Sequence, residues 1–159
     1  MGCLASTTIE TDELANFRKV ALIKHNELRG KHGSPELKLN KTLNMMAQEY
    51  AEKLFVCKGN NIFPKNIYNN TIIGENILLC KTLTPEEICE KWYNEKNKYD
   101  FNLNKYQKDS GHFSQLIWKD SKEVGFGFKS DSEICCAVAY YYPAGNILGE
   151  FSQNIQKEE

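Results

Sequence analysis

The sequence has no long apolar run. Its two most apolar stretches, around Ile72–Leu79 and Ile134–Tyr142, are far shorter than the ~20 apolar residues that a membrane-spanning helix needs. Residues 7–17 contain three acidic side chains and no apolar segment, which disfavours a secretory signal. We therefore expect the protein to remain in the cytosol.

Several signatures of enzymes and of nucleic-acid binding are missing as well. There is no P-loop, no glycine-rich dinucleotide fingerprint and no nucleophile elbow. Basic residues are not interleaved with aromatic residues, so the chain offers no stacking platform for bases. These absences disfavour nucleotide-dependent enzymes and serine hydrolases, and we expect no nucleic-acid partner.

Six cysteines are present, but none belongs to a C-x-x-C pair with zinc-finger spacing. Cys135 and Cys136 are adjacent, so in a strand they would point to opposite faces. In a reducing compartment the cysteines are most simply small buried apolar residues. An exported chain would instead form disulfides among five of them: Cys57, Cys80, Cys89, Cys135 and Cys136.

A chain of 159 residues, 41% of them apolar, suits one domain with one core. Apolar periodicity and capping residues predict three helices, a short helical turn and two strands. Their approximate ranges are 12–33, 40–54 and 84–99 for the helices, 111–118 for the turn, and 124–129 and 134–142 for the strands. Residues 57–73 are predicted to form a surface loop. The fold class is therefore α+β, with helices layered on a small antiparallel sheet.

The N-terminal residues match the pattern for N-myristoylation, with Gly2 as the acceptor and Cys3 placed for a palmitoyl chain. One myristoyl chain binds membranes only marginally, so a stable anchor needs a second acyl chain or a basic patch. Seven basic and two acidic residues lie between positions 16 and 41. We predict an acylated arm at 1–10, a globular domain at 11–159, and five membrane-facing basic residues: Arg18, Lys19, Lys24, Arg29 and Lys31.

Three side chains are candidates for chemistry. Glu95 follows Ile88 and Trp92 at helical spacing, which places a carboxylate on the apolar face of the third helix. Such a carboxylate must be hydrogen-bonded, paired or bound to a cation. His112 and Glu75 also adjoin apolar residues, and the three together could hold a divalent cation or polarise a water. A structural glutamate and a satisfied core histidine are the competing interpretations, and sequence spacing leaves both open.

Several segments resemble the signatures of the CAP superfamily, in the order that the family has them. They are His25-Asn26-x-x-Arg29, Gly74-Glu75-Asn76-Ile77, Trp92-Tyr93-x-Glu95, Gly111-His112-Phe113-Ser114-Gln115-Leu116-Ile117-Trp118 and Tyr141-Tyr142-Pro143-Ala144-Gly145-Asn146-Ile147. The resemblance covers about residues 17–155. It implies a three-layer α-β-α sandwich, in agreement with the elements predicted above.

The resemblance also implies a central cleft lined by two histidines and two glutamates. Glu75, Glu95 and His112 match three of these four, but residues 57–73, where the first histidine belongs, contain none. A zinc site with a single imidazole would be weak. Together with the N-terminal acylation pattern, the resemblance implies a non-enzymatic, lipid-anchored protein that binds anionic phospholipid at the cytoplasmic face of a Golgi or plasma membrane.

The family resemblance also implies a tendency to form a homodimer, and a sterol or fatty acid as ligand. The sequence leaves two alternative functions open. One is a secreted CAP effector or allergen-like protein, and the other is a metal-dependent hydrolase that uses Glu75, Glu95 and His112.

Overall fold

The structure is a computed structural model, and it describes residues 10–60 and 66–159. Its helices are α1 (Asp12–Gly30), α2 (Lys41–Cys57), α3 (Pro85–Tyr93), α4 (Gly111–Ile117) and α5 (Phe151–Asn154). Its strands are β1 (Lys38–Leu39), β2 (Ile67–Tyr68), β3 (Thr71–Ile72), β4 (Gly74–Lys81), β5 (Glu123–Ser130) and β6 (Ile134–Tyr142). Two 3₁₀ turns cover Asn94–Lys98 and Lys108–Ser110.

The helices begin where short polar side chains satisfy the first free backbone amides. Thr11 accepts a hydrogen bond from the backbone N–H of Leu14, and Asn40 does the same for Leu43. Thr84 and Glu87 form a reciprocal capping box at the start of α3. These caps confirm the predicted starting points of all three long helices.

The main sheet has the strand order β1-β5-β6-β4. β6 pairs antiparallel with β5 on one side and with β4 on the other, whereas β1 pairs parallel with β5. β4 is therefore an edge strand that is held to the sheet by β6. β2 and β3 form a separate antiparallel hairpin.

Two apolar cores lie on opposite faces of this sheet. On β6, alternate residues such as Cys135 and Tyr141 join the core beneath α1, α3 and α4. The residues between them, such as Cys136 and Tyr140, join the core beneath α2. The α-β-α sandwich is thus confirmed, as is the prediction that Cys135 and Cys136 point to opposite faces.

Two glycines of β5 allow α2 to lie unusually close to the sheet. A Cβ atom on Gly125 would come within 2.2 Å of the Leu43 backbone, and one on Gly127 within 2.2 Å of the Ala47 carbonyl oxygen. Since real Cβ atoms do not approach other atoms so closely, any larger residue would push the helix away. The glycines therefore set the spacing between these two layers.

Three local predictions were wrong. Residues 57–73 were expected to be loop, but they contain the β2–β3 hairpin. β4 was not predicted because its sequence shows no apolar–polar alternation. In the structure most of its residues are half-buried, whichever face they point to. The third helix was expected to reach about residue 99, but its α-helical part ends at Tyr93 and continues as a 3₁₀ turn.

Two of the five basic residues predicted to face a membrane are buried instead. The Arg18 guanidinium donates to the carbonyl oxygens of Phe126 and Asn44, at 2.9 and 3.1 Å, and also to the Glu10 carboxylate. The Arg29 side chain has no exposed surface. For these two residues the prediction is wrong, because α1 turns them towards the rest of the domain.

Arg29 ties the end of α1 to the segment around the C-terminus of α4. Its guanidinium donates to the carbonyl oxygens of Pro35, Leu116, Trp118 and Ser121, at 2.9 to 3.0 Å. Burial lowers the pKa of Arg29 to about 10, so the group keeps its charge at neutral pH. One buried cation thus satisfies four carbonyl oxygens.

Replacing Arg29 with methionine should lower the free energy of unfolding by about 3 kcal/mol or more, because four carbonyl oxygens lose a charged donor. Urea unfolding followed by circular dichroism measures the change. The control is Lys19→Ala, which alters an exposed side chain on the same helix. Equal stability of the two variants would contradict the role given to Arg29.

Candidate functional site

His112 and Glu95 form a direct pair. His112 lies in the first turn of α4, and Glu95 lies in the 3₁₀ turn that follows α3. The His112 Nδ1 atom is 2.9 Å from Glu95 Oε2, and the His112 backbone N–H donates to Glu95 Oε1 at 3.1 Å. Since a carboxylate accepts at both contacts, the proton is on Nδ1 and the ring is held in one orientation. The His112 side chain is 45% exposed and that of Glu95 21%.

Glu75 lies close to this pair but does not join its hydrogen bonds. It stands near the start of β4, directly opposite Tyr140 of β6. Its Oε2 atom and the Tyr140 hydroxyl are buried without a hydrogen-bond partner among the described residues. Burial raises the pKa of Glu75, while the charge of the nearby His112 opposes that rise. The pKa of Tyr140 is raised as well, first by burial and then by Glu75.

A metal site does not follow from this geometry. Among residues 10–60 and 66–159, no three His, Cys, Asp or Glu side chains are placed to hold a metal ion together. Both oxygens of Glu95 already accept hydrogen bonds from His112. The donor set therefore does not fit zinc, and we assign no metal chemistry to it.

Comparison with known proteins identifies the family. Residues 22–141 match the CAP family model, described as the cysteine-rich secretory protein family. This chain belongs to the CAP family. It is 36% identical over 143 residues to human Golgi-associated plant pathogenesis-related protein 1, which covers 87% of this chain and 92% of that protein. It is also 34% identical to the protein PRY2 of Saccharomyces cerevisiae, covering 88% of this chain and 41% of the yeast protein.

Solved CAP structures share the fold. Venom allergen-like protein 4 of Schistosoma mansoni superposes with a TM-score of 0.67 at 22% identity, covering 84% of this chain and 92% of that chain. The NaASP2 protein, in a crystal structure described as containing Zn²⁺, gives a TM-score of 0.67 at 21% identity, covering 99% and 91%. At these identities the likeness concerns the fold alone.

The CAP motifs of this chain meet in a buried hydrogen-bond network. The Tyr141 hydroxyl lies 2.7 Å from His25 Nε2, and the Asn76 amide donates to the same hydroxyl at 3.2 Å. Asn76 also donates to the His112 carbonyl oxygen at 3.0 Å. His25 Nδ1 lies 2.8 Å from the Ala21 carbonyl oxygen and donates to it, so Nε2 accepts from Tyr141. The network links α1 through the sheet to the turn that carries His112.

Sequence reasoning missed the roles of Asn76, Tyr140 and Tyr141. Asn76 was noticed only as part of a motif, and the tyrosines only as part of an apolar strand. Their contacts join residues 36 or more positions apart, for example Asn76 with His112 and with Tyr141, and local periodicity contains no information on such pairs. The sequence did contain one indication of these contacts: a tyrosine in a buried strand usually needs a hydrogen-bond partner for its hydroxyl.

Stability should fall on acidification because His25 is buried in its neutral form. Burial lowers the pKa of His25 to about 3, whereas the unfolded chain takes up that proton near pH 6.5. Between these values the unfolded state binds more protons than the folded state. Each unit by which the pH is lowered should therefore reduce the free energy of unfolding by up to about 1.4 kcal/mol. In a His25→Gln variant this part of the slope should disappear in urea unfolding measured from pH 7 to pH 4. It should persist in His112→Gln, and an unchanged slope in His25→Gln would refute the assignment.

Glu75 should destabilise the folded protein at neutral pH. Because its pKa is raised in the folded state, that state binds more protons than the unfolded one just above the ordinary value of 4.5, and stability falls as pH rises through this range. Glu75→Gln should therefore be more stable than the parent chain at pH 7, and the gain should shrink below pH 4.5. Thermal unfolding across pH tests this, with the exposed Glu36→Gln as the control. A loss of stability in Glu75→Gln at pH 7 would contradict it.

Proposed function

We propose that this protein is a non-enzymatic CAP-domain binding protein, held at the cytoplasmic face of a Golgi or plasma membrane by acyl chains on Gly2 and Cys3. The observation that carries the proposal is the 36% identity to a relative named as Golgi-associated, over 92% of that relative's length. The predicted arm, residues 1–10, lies outside the described residues except for Glu10. Its acylation is therefore proposed from the sequence pattern. No helix of the described residues is long and apolar enough to cross a bilayer.

The placement of the basic residues changes how the anchor must work. With Arg18 and Arg29 buried, three of the five predicted cations remain at the surface. Lys24 lies 3.3 Å from the carboxylates of both Glu27 and Glu90, which neutralise it. The exposed Lys19 and Lys31 are left to face anionic lipid.

Two lysines supply only ~1 kcal/mol each at a membrane surface. A single myristoyl chain is itself marginal, so the second signal of the anchor has to come mainly from an acyl chain on Cys3. Hydrophobic anchoring thus dominates over electrostatic attraction in this proposal.

The geometry around His112 favours binding over catalysis. The hydroxyls two positions away in sequence belong to Ser110 and Ser114, and neither is bonded to His112. Ser114 Oγ lies within hydrogen-bond distance of the Ser110 and Gly111 carbonyl oxygens and of Asn146 Oδ1, and Ser110 Oγ donates to the Gln107 carbonyl oxygen. The imidazole is oriented by Glu95, but it has no nucleophile to activate among these contacts. A sterol or fatty-acid ligand and a homodimer stay predictions of the family resemblance.

Gly2→Ala should move the protein from the membrane fraction to the soluble fraction, because it removes the acceptor of the first acyl chain. Cys3→Ser should remain myristoylated but should bind weakly, and high salt should release it. Cell fractionation, with flotation on vesicles of phosphatidylcholine with and without phosphatidylserine, measures both variants.

The matched control is the double variant Lys19→Ala, Lys31→Ala, which should stay largely membrane-bound because both acyl chains remain. Intact mass of the native protein reports directly on the modifications. A Gly2→Ala chain that still sediments with membranes, or a secreted native chain, would count against the proposal.

A further inference from the structure

Two cysteines lie directly opposite each other at one edge of the main sheet. Cys80 near the end of β4 pairs in register with Cys135 near the start of β6. Directly opposite residues in an antiparallel pair point to the same face. In agreement with this, Cys80 and Cys135 both contact the core beneath α1 and α3.

Their sulfur atoms also converge on a single acceptor. The thiol of Cys80 donates to the Lys81 carbonyl oxygen at 3.1 Å, and that of Cys135 donates to the same oxygen at 3.6 Å. Opposite residues in antiparallel strands have Cα atoms about 4.5–5.5 Å apart, which is within the range that disulfides span. The register of the two strands therefore places the two Cα atoms within the range that a disulfide spans.

The other described cysteines are not placed to compete. Cys136 faces the opposite core, beneath α2. Cys89 lies in α3 with its sulfur 3.5 Å from His25 Nδ1, and Cys57 is exposed at the end of α2. Among the described residues, the geometry therefore singles out one pair.

We propose that Cys80 and Cys135 are a redox-sensitive pair, which a low-molecular-weight disulfide such as oxidised glutathione converts into a cross-strand disulfide. The partly exposed Cys80 thiolate attacks one sulfur of the oxidised glutathione, forming a mixed disulfide and releasing one glutathione. The Cys135 thiolate then attacks the Cys80 sulfur and releases the second glutathione. The protein loses two protons and two electrons, and both appear in the two glutathione thiols.

The different surroundings of the two thiols fit this order of events. Cys135 has no exposed surface, and burial raises its pKa to about 11, so its thiol reacts slowly with reagents in solution. Once Cys80 carries glutathione, however, the Cys135 sulfur lies next to the bond that it must attack. The second step is therefore favoured by proximity despite the raised pKa.

The disulfide would fasten the strand that carries Glu75 and Asn76. β4 is an edge strand, and Cys80 lies at the opposite end of it from these two residues. The bond would also close a long loop that contains α3 and α4, which restricts the unfolded chain. We expect the oxidised protein to unfold at a temperature several degrees higher than the reduced one.

The test equilibrates the purified full-length chain in glutathione buffers of increasing oxidised-to-reduced ratio. Acid quenching, denaturation and alkylation then mark every remaining thiol, and peptide mass spectrometry reads each cysteine separately. Cys80 and Cys135 should lose their alkylation together and appear in one cross-linked peptide pair.

Variants make the outcome specific. Cys136→Ala, equally buried but on the other face, should form the same disulfide as the parent chain. Cys80→Ala should leave Cys135 as a thiol in every buffer, and it should lose the increase in unfolding temperature. Circular dichroism confirms that each variant is folded. The proposal is overturned if Cys80 keeps glutathione while Cys135 stays a thiol, or if Cys80 pairs with another cysteine.

Discussion

The domain depends most on one buried cation. Arg29 extends from the end of α1 into the core and binds four carbonyl oxygens, including those of Leu116 and Trp118 at the end of α4. Those carbonyls are the groups that a helix C-terminus leaves unsatisfied, so the guanidinium acts as a cap supplied by a distant residue. It fixes the position of α4 relative to α1. Every contact that His112 makes from the first turn of α4 depends on that position.

The sequence was sufficient to predict the parts of the fold that local rules govern. The capping residues Thr11, Asn40 and Thr84 located the helix starts, and two short runs joined by polar turn residues located β5 and β6. β4 was not located in this way, because its position is defined by pairing with β6, some 60 residues later in the chain. The strand that carries Glu75 was therefore among the strands that the sequence analysis did not predict.

Only part of the candidate site was predicted, again because its residues come from distant parts of the sequence. The convergence of Glu95 and His112 was anticipated only as a family resemblance, because two residues 17 positions apart share no local period. The basic stretch shows the opposite error. Charge counted along the sequence treated Arg18 and Arg29 as surface residues, whereas long cationic side chains can turn inwards when backbone carbonyls are available to receive them.

The hydrogen bonds explain how this chain keeps the CAP signatures while its metal-donor set is incomplete. His25, Arg29, Asn76 and Tyr141 all belong to these signatures, and all four are buried and hydrogen-bonded. Replacing any one of them would leave buried polar groups without partners, at a cost of about 1–3 kcal/mol each, whether or not the domain binds a ligand. Glu75, Glu95 and His112 differ from these four in being partly exposed. In this chain the buried signature residues are explained by the stability of the fold. Any chemistry of Glu75, Glu95 and His112 has to be established from those three residues themselves.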